Sequence, residues 1–166
     1  MTTEGATSEN YNIKFENGTL ILNGANITGA ELSSANVGFG GNCGILAEDG
    51  LTIQLFGDNS VIAGGSSSNS YGIAVYNGKL TICGNGTLTA KGGTTTSDAT
   101  TSCGIGASQI AISSGRITAV GGAGRNSSFG LYAWADGVTI EGGSVTAVGG
   151  TCDDEDYNSY GISLRC

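Results

Sequence analysis

The chain contains 166 residues, which is enough for one domain with a continuous hydrophobic core, and we predict a single domain. Its 31 glycines occur without any proline and without a strict three-residue period, so the composition excludes collagen. Only six residues are Lys or Arg and the net charge is −8, which argues against nucleic-acid partners and anionic membranes. Because histidine is absent, Ser-His-Asp catalysis, Cys-His catalysis and His-ligated zinc are excluded.

The segment 1–12 precedes the regular part of the chain, and we predict that it forms an N-terminal cap or tail. It begins MTTEGATSEN, which has neither the basic start nor the apolar stretch of a signal peptide. No apolar run approaches the length of a membrane span, so membrane insertion is not expected. Two interpretations stay open at this point: a cytosolic protein, or a mature domain cut from a longer secreted chain.

From residue 13 to the end, three kinds of short apolar-polar-apolar segment recur along the chain. The first kind starts at residues 51, 80, 110 and 138, with spacings of 29, 30 and 28 residues. Its copies are Leu51-Thr52-Ile53, Leu80-Thr81-Ile82, Ile110-Ala111-Ile112 and Val138-Thr139-Ile140. The second kind comprises Val61-Ile62-Ala63, Leu88-Thr89-Ala90, Ile117-Thr118-Ala119 and Val145-Thr146-Ala147. The third kind opens with Gly44, Gly72, Gly104, Gly130 and Gly161. A further copy of the repeat opens the chain, in Leu20-Ile21-Leu22 and Ile27-Thr28-Gly29.

This pattern predicts an all-β fold, because no helical period is present and alternation with glycine turns is typical of short strands. Three strands cannot bury their apolar side alone, whereas stacked repeats can. We therefore predict a right-handed single-stranded parallel β-helix of about five coils, with three short strands per coil, over residues 13–166. The last coil is incomplete. The inward residues of one coil are Ile73, Val75, Leu80, Ile82, Leu88 and Ala90.

Glycine pairs and polar insertions mark the corners of the predicted coils. Turn chemistry explains the column Asn17-Gly18, Asp49-Gly50, Asn77-Gly78 and Asp136-Gly137 better than a calcium or catalytic role does. The variable segments all fall at one corner, which we expect to form a rim: 66–70, 94–102, 123–128 and 151–159.

Aromatic residues on the outer side of the Gly-Ile strand give the best signal for binding. Tyr76 and Trp134 fall in one outward column, two coils or about 9.6 Å apart, and Tyr132 falls in the neighbouring column. Flat rings of this kind stack on sugars while their polar tips bond to hydroxyls. The alternative is that loops or neighbouring domains cover the rings. A separate column precedes the corner glycines and is expected to pack under the loops: Cys43, Tyr71, Cys103, Phe129 and Tyr160.

Acidic residues of the last rim segment provide oxygen atoms that suit calcium. The candidate ligands are Asp153, Asp154 and Asp156, with Asp98 in an equivalent segment two coils earlier. A solvated acidic loop that keeps the end soluble is the alternative. For catalysis, the outward acids Glu48, Asp58 and Glu141 lie in different columns, so no pair of carboxylates is brought together as glycoside hydrolysis requires.

The five cysteines do not form a disulfide framework. Cys43 and Cys103 share a column but are separated by the coil that carries Tyr71, which puts them beyond disulfide reach. Cys152 and Cys166 could meet at the C-terminal end, but a disulfide between them is not favoured. Ice binding requires a flat Thr-x-Thr array, which the mixed outward positions do not supply.

Three stretches carry a resemblance to a known family: GILAEDGLTIQLFGDNSVIAGG, YGIAVYNGKLTICGNGTLTAKGG and GVTIEGGSVTAVGG. They resemble the glycine-rich repeat regions of secreted and cell-surface proteins from anaerobic Gram-positive bacteria. Such regions look like carbohydrate-binding β-helix domains of the pectate-lyase-like superfamily, some of which bind acidic polysaccharide with calcium. The resemblance implies an extracellular or cell-surface location, with a polysaccharide or surface glycan as partner. No catalytic motif of that superfamily is carried by this sequence.

The sequence thus favours a non-catalytic extracellular carbohydrate-binding module with Tyr76, Tyr132 and Trp134 as stacking residues. The main alternative is a structural spacer or adhesin stalk, whose incomplete last coil would continue into further repeats or stack end to end on another chain. A polysaccharide lyase or hydrolase is the third hypothesis.

Overall fold

The computed structural model describes residues 10–32, 41–98, 100–152 and 158–165, and these residues form fourteen strands and no helix. No segment of this part of the chain has the helical length and apolarity needed to cross a bilayer. The strands are β1 Ile13–Glu16, β2 Thr19–Asn23, β3 Asn26–Thr28, β4 Ala30–Leu32, β5 Gly41–Ala47, β6 Leu51–Phe56, β7 Asp58–Ile62, β8 Asn69–Gly84, β9 Thr87–Lys91, β10 Thr101–Ile112, β11 Arg116–Val120, β12 Ser127–Ile140, β13 Ser144–Val148 and β14 Asn158–Leu164.

Parallel strands of successive repeats stack into a β-solenoid of about 4 turns, which confirms the all-β parallel fold. The expected number of about five coils is slightly too high, because both ends of the chain form only part of a coil. At the N-terminal end β1 folds back antiparallel on β2, and β4 pairs antiparallel with β5. At the other end β14 alone begins the next coil.

Each coil has three faces, which we call front, second and third. The front face contains β5, the first halves of β8, β10 and β12, and β14. The second face contains β2, β6 and the remaining halves of β8, β10 and β12. The third face contains β3, β7, β9, β11 and β13.

The corner between the front and second faces does not interrupt the strand in the later coils. The strand β8 runs through Asn77 and Gly78, where Asn77 N–H donates to the carbonyl oxygen of Glu48 at 2.7 Å. Gly78 has a φ of 99°, a conformation that glycine adopts at low cost. The repeat therefore contains three faces as predicted, but two of its strands are fused into one bent strand.

Aliphatic side chains fill the interior, and they lie in register from coil to coil. Ile73 pairs with Ile105, which pairs in turn with Leu131, and all three side chains are fully buried. The equivalent columns on the second and third faces contribute Leu80, Ile82, Ile110, Ile112, Leu88 and Ile117, which are also buried. These are the inward positions that the period-two pattern predicts.

The register of β7 differs from the sequence match by two residues. Asn59, not Val61, lies opposite Leu88, and Val61 lies opposite Ala90. An asparagine occupies this inward position because its side chain is fully bonded: Oδ1 accepts from Ala25 N–H at 2.9 Å. Its Nδ2 donates to the carbonyl oxygens of Phe56 at 2.9 Å and Thr87 at 3.0 Å. A buried amide with these partners costs little.

A buried column of polar side chains joins the third and front faces, and the sequence analysis did not recognise it. Its buried members are Asn42, Ser70, Ser102 and Ser128, and the exposed Ser159 of β14 continues the column; all five are paired in register. Ser102 Oγ donates to the carbonyl oxygen of Gly93 at 2.6 Å and accepts from Gly122 N–H at 2.8 Å, so it links adjacent coils. A Cβ on Gly92 would lie 2.5 Å from this Oγ, which explains the glycine pairs at this corner.

Candidate functional site

The structure brings the predicted aromatic residues together on the front face. Val75 pairs with Ala107 and Ala107 with Ala133, so the residues that follow them, Tyr76 and Trp134, lie two coils apart as predicted. Tyr132 lies two residues before Trp134 in β12 and pairs with Gly106 of β10.

These three aromatic residues line one groove with a volume of about 570 Å³. We call it the front groove. Its other lining residues are Tyr71, Asn77, Ser108 and Arg165. Tyr76 is 44% exposed, whereas Tyr132 and Trp134 are half-buried. The groove therefore combines an accessible ring with two partly accessible ones.

Trp134 is held in place by its aromatic neighbours. Its ring centroid lies 5.6 Å from that of Tyr132 with an interplanar angle of 60°, and Tyr132 lies 4.9 Å from Phe129. Tilted pairs at these separations are favourable. Space for the indole comes from Gly106, where an added Cβ would lie 3.0 Å from Trp134 and 2.8 Å from the ring of Tyr71. A side chain at this position would push the rings outward.

A second apolar cluster lies between these rings and the outer side of the front face, apart from the interior core of the solenoid. We call it the outer cluster. Its buried members are Cys43, Tyr71, Ala74, Cys103 and Phe129, and Leu46, Tyr132 and Trp134 pack against it. Four residues of the column expected to pack under the loops are thus buried, whereas its last member, Tyr160, is 49% exposed. The sequence analysis missed that this column also supports Tyr132 and Trp134.

The buried thiols of the outer cluster are poor nucleophiles. Burial raises the pKa of Cys43 from 9.0 to about 12, and it raises the pKa of Cys103 further above the ordinary value. Cys103 Sγ donates to the carbonyl oxygen of Ile105 at 3.2 Å. The thiolate is the reactive form, so neither cysteine has the environment of a catalytic thiol.

Polar groups at the groove are positioned by the corner of the coil. Ser108 Oγ donates to the carbonyl oxygen of Tyr76 at 3.0 Å and accepts from Gly78 N–H at 3.3 Å. Arg165 is anchored by its backbone, whose N–H donates to the carbonyl oxygen of Ala133 at 2.9 Å. Among the described residues that line the groove, Arg165 is the only charged one and no carboxylate is present.

The predicted calcium ligands Asp153, Asp154 and Asp156 lie outside the described residues. The fourth candidate, Asp98, is described, and its Oδ1 lies 2.6 Å from Nε of Arg125. This ion pair joins two neighbouring rim segments, so the guanidinium already neutralises the carboxylate. Within the described ranges, no three cysteine, aspartate or glutamate side chains are grouped as metal ligands.

The described cysteines of the coils are not cross-linked to one another. Cys43, Cys83 and Cys103 are free thiols, and Tyr71 separates Cys43 from Cys103 in the ladder, as predicted. Cys166, which could meet Cys152 at the C-terminal end, lies outside the described residues.

No protein-family model, no curated protein and no solved structure matches this chain. The β-solenoid architecture is therefore established by the strand pairing alone, and the resemblance to carbohydrate-binding domains stays a prediction.

Proposed function

We propose that this β-solenoid is a non-catalytic, extracellular carbohydrate-binding module whose site is the front groove. The observation that carries the proposal is the convergence of Tyr76, Tyr132 and Trp134 on one open groove with Asn77 and Ser108 at its edge. The resemblance to cell-surface repeat regions supports the same location and ligand class.

The chemistry of the groove suits sugars for two reasons. Pyranose rings present flat C–H faces that pack on indole and phenol rings, and they present hydroxyls at their edges. The groove offers both kinds of partner, since Asn77 carries amide groups and Ser108 and the tyrosines carry hydroxyls. Mutual packing of Trp134 and Tyr132 reduces the conformational freedom that binding would otherwise remove.

A binding role is favoured over a lyase or hydrolase because the described lining of the groove lacks acidic residues. Glycoside hydrolysis uses a pair of carboxyl groups that flank the bond to be cleaved. The proposal does not require calcium, and binding is measured both with and without it. Release of unsaturated or reducing ends from pectic substrates would support the enzyme hypothesis instead.

The direct test is an array of plant and host polysaccharides, probed with and without calcium, followed by calorimetry on retained glycans. We expect Trp134→Ala to weaken binding at least tenfold while the far-ultraviolet spectrum stays unchanged. Phe15→Ala is the matched control, because Phe15 is another exposed aromatic residue but belongs to β1 rather than to the groove. Equal losses in both variants, or no retained glycan with folded protein, would overturn the proposal.

A structural spacer or stalk is the second candidate. It is favoured by the exposed apolar side chains of the last coil, including Ile162 and Leu164, which are suited to packing under a further layer of strands. An array without any retained glycan, together with self-association of the chain, would favour this candidate.

A further inference from the structure

At the corner between the front and second faces, β10 takes a shorter path than the strands on either side of it. There β8 and β12 each place three residues, 76–78 and 134–136, between ladder positions that β10 joins with one residue, Ser108. The hydroxyl of Ser108 is bonded to the coil of β8 and does not project outward, since Oγ donates to the carbonyl oxygen of Tyr76. The short corner therefore leaves a gap between two longer ones, which we call the corner notch.

The two longer corners carry an aromatic ring on each side of the corner notch. Tyr76 and Trp134 occupy equivalent positions in strands two coil spacings apart, so their backbones are separated by about 9.6 Å. Trp134 leans back over β10, because a Cβ added to Gly106 would lie 3.0 Å from its ring. A flat ring held between two others needs about 8 Å, which is twice the contact distance of carbon atoms. The corner notch is thus wide enough for one ring.

The surroundings of the corner notch close two adjacent sides of such a ring. Ser108 forms the floor, and Tyr71 and Tyr132 line the groove on the side of Gly106. The sides towards solvent and towards Asn77 are open. A sugar inside a linear chain joined through opposite ring positions needs two opposite edges free, and here each pair of opposite edges has one closed. A terminal or branch sugar needs only one free edge.

We propose that the corner notch holds one terminal or branch sugar of a glycan between Tyr76 and Trp134, and that Ser108 keeps the notch open. The inference rests on the proposed function and deepens it by naming the part of the glycan that is bound. Aromatic rings on both sides select sugars with equatorial hydroxyls, such as glucose and xylose. An axial hydroxyl, as in galactose or mannose, would point at a ring and lose its hydrogen bonds to water.

Calorimetry with four methyl β-glycosides, those of glucose, xylose, galactose and mannose, tests the inference on the whole chain and three variants. Ser108→Leu fills the corner notch and leaves both rings in place, whereas Ser108→Ala removes only the hydroxyl. Ser113→Leu is the matched control, because Ser113 Oγ also donates to a carbonyl oxygen of the preceding coil, that of Ile82 at 3.4 Å, but lies outside the groove. Circular dichroism confirms that each variant is folded.

We expect the glucoside and the xyloside to bind at least fivefold more tightly than the galactoside and the mannoside. Ser108→Leu should weaken their binding at least tenfold, because a larger side chain occupies the place of the sugar. Ser108→Ala should weaken it at most about threefold, since the notch stays open, and Ser113→Leu should leave it unchanged.

Equal binding of all four glycosides would overturn the inference, and so would equal losses in Ser108→Leu and Ser113→Leu. Binding of none of the four would also overturn it. If an array still retains a glycan through Trp134 in that case, the front groove remains a carbohydrate site that binds the interior of a chain. If the array retains nothing, the proposed function fails together with the inference.

Discussion

The inner core and the outer cluster are both buried, yet they are built from different residues and by different rules. The inner core is almost entirely aliphatic and repeats in register on all three faces. The outer cluster combines thiols with aromatic rings, lies on the front face only and is capped by half-buried Tyr132 and Trp134. This difference indicates that the inner core holds the solenoid together, whereas the outer cluster shapes a surface.

The largest expected effect comes from the inner core. Ile105→Ala removes a fully buried side chain that contacts its own coil and the coils on both sides, so we expect a loss of about 3 kcal/mol in the free energy of unfolding. Urea denaturation followed by circular dichroism measures it. A loss no larger than that of an exposed substitution would show that this core is not the main source of stability.

The second largest loss of stability is expected in the serine column, where a substitution should cost more than at a surface serine. Ser102→Ala leaves the half-buried carbonyl of Gly93 and the buried N–H of Gly122 without their bridging hydroxyl, which we expect to cost about 2 kcal/mol. Ser113→Ala is the control, because Ser113 is exposed and should cost less than about 0.5 kcal/mol. Equal values for the two variants in the same denaturation assay would contradict the bridging role.

The buried thiols of the outer cluster should make the free energy of unfolding depend on pH above pH 9. The pKa of Cys43 is raised in the folded state, so its contribution to stability is complete below the unfolded value of 9.0 and is lost as the pH rises towards about 12. We expect Cys43→Ala to lose about 1 kcal/mol less than the unmodified protein by pH 10, because the loss that remains in the variant comes from the other buried thiol, Cys103. Denaturation at pH 8, 9 and 10 compares the two proteins. Parallel pH profiles would rule out ionisation of the Cys43 thiol as a cause.

The smallest effect on stability is expected at the accessible wall of the front groove. Tyr76→Ala should change the free energy of unfolding by less than about 0.5 kcal/mol, since its side chain is 44% exposed. The same variant should weaken glycan binding about fivefold, because stacking on an aromatic ring contributes on the order of 1 kcal/mol. Calorimetry with a retained glycan, beside thermal denaturation, separates the two effects.

Much of the fold follows from the sequence because strand periodicity and the repeat length act together. The inward positions Ile73, Leu80 and Leu88 and the pairing of their equivalents are all found as predicted. The coil count and the register of β7 are not. Aligning the repeats by their apolar residues places Val61 opposite Leu88. Asn59 takes that inward position instead, because hydrogen bonds satisfy its buried amide.

The candidate site was predicted in part. Columns of outward residues identified Tyr76, Tyr132 and Trp134, because outward positions on stacked coils are fixed by the same alternation as inward ones. Sequence spacing does not reveal the side-chain directions that pack Trp134 over Gly106. The serine column was visible as a Ser-x-Gly motif in the sequences of β8, β10, β12 and β14, with Asn42 at the equivalent position of β5, but its bonds to the glycine pairs require the folded corner.

Because Trp134 is the only tryptophan, its fluorescence reports on the front groove alone. The decisive measurement is therefore its emission, and its quenching by acrylamide, during titration with the polysaccharide that the array retains best. Binding in the front groove predicts a blue shift and protection from acrylamide, both saturating with the calorimetric affinity. Calorimetric binding with unchanged emission and quenching would place the sugar elsewhere and contradict the assignment of the front groove as the binding site.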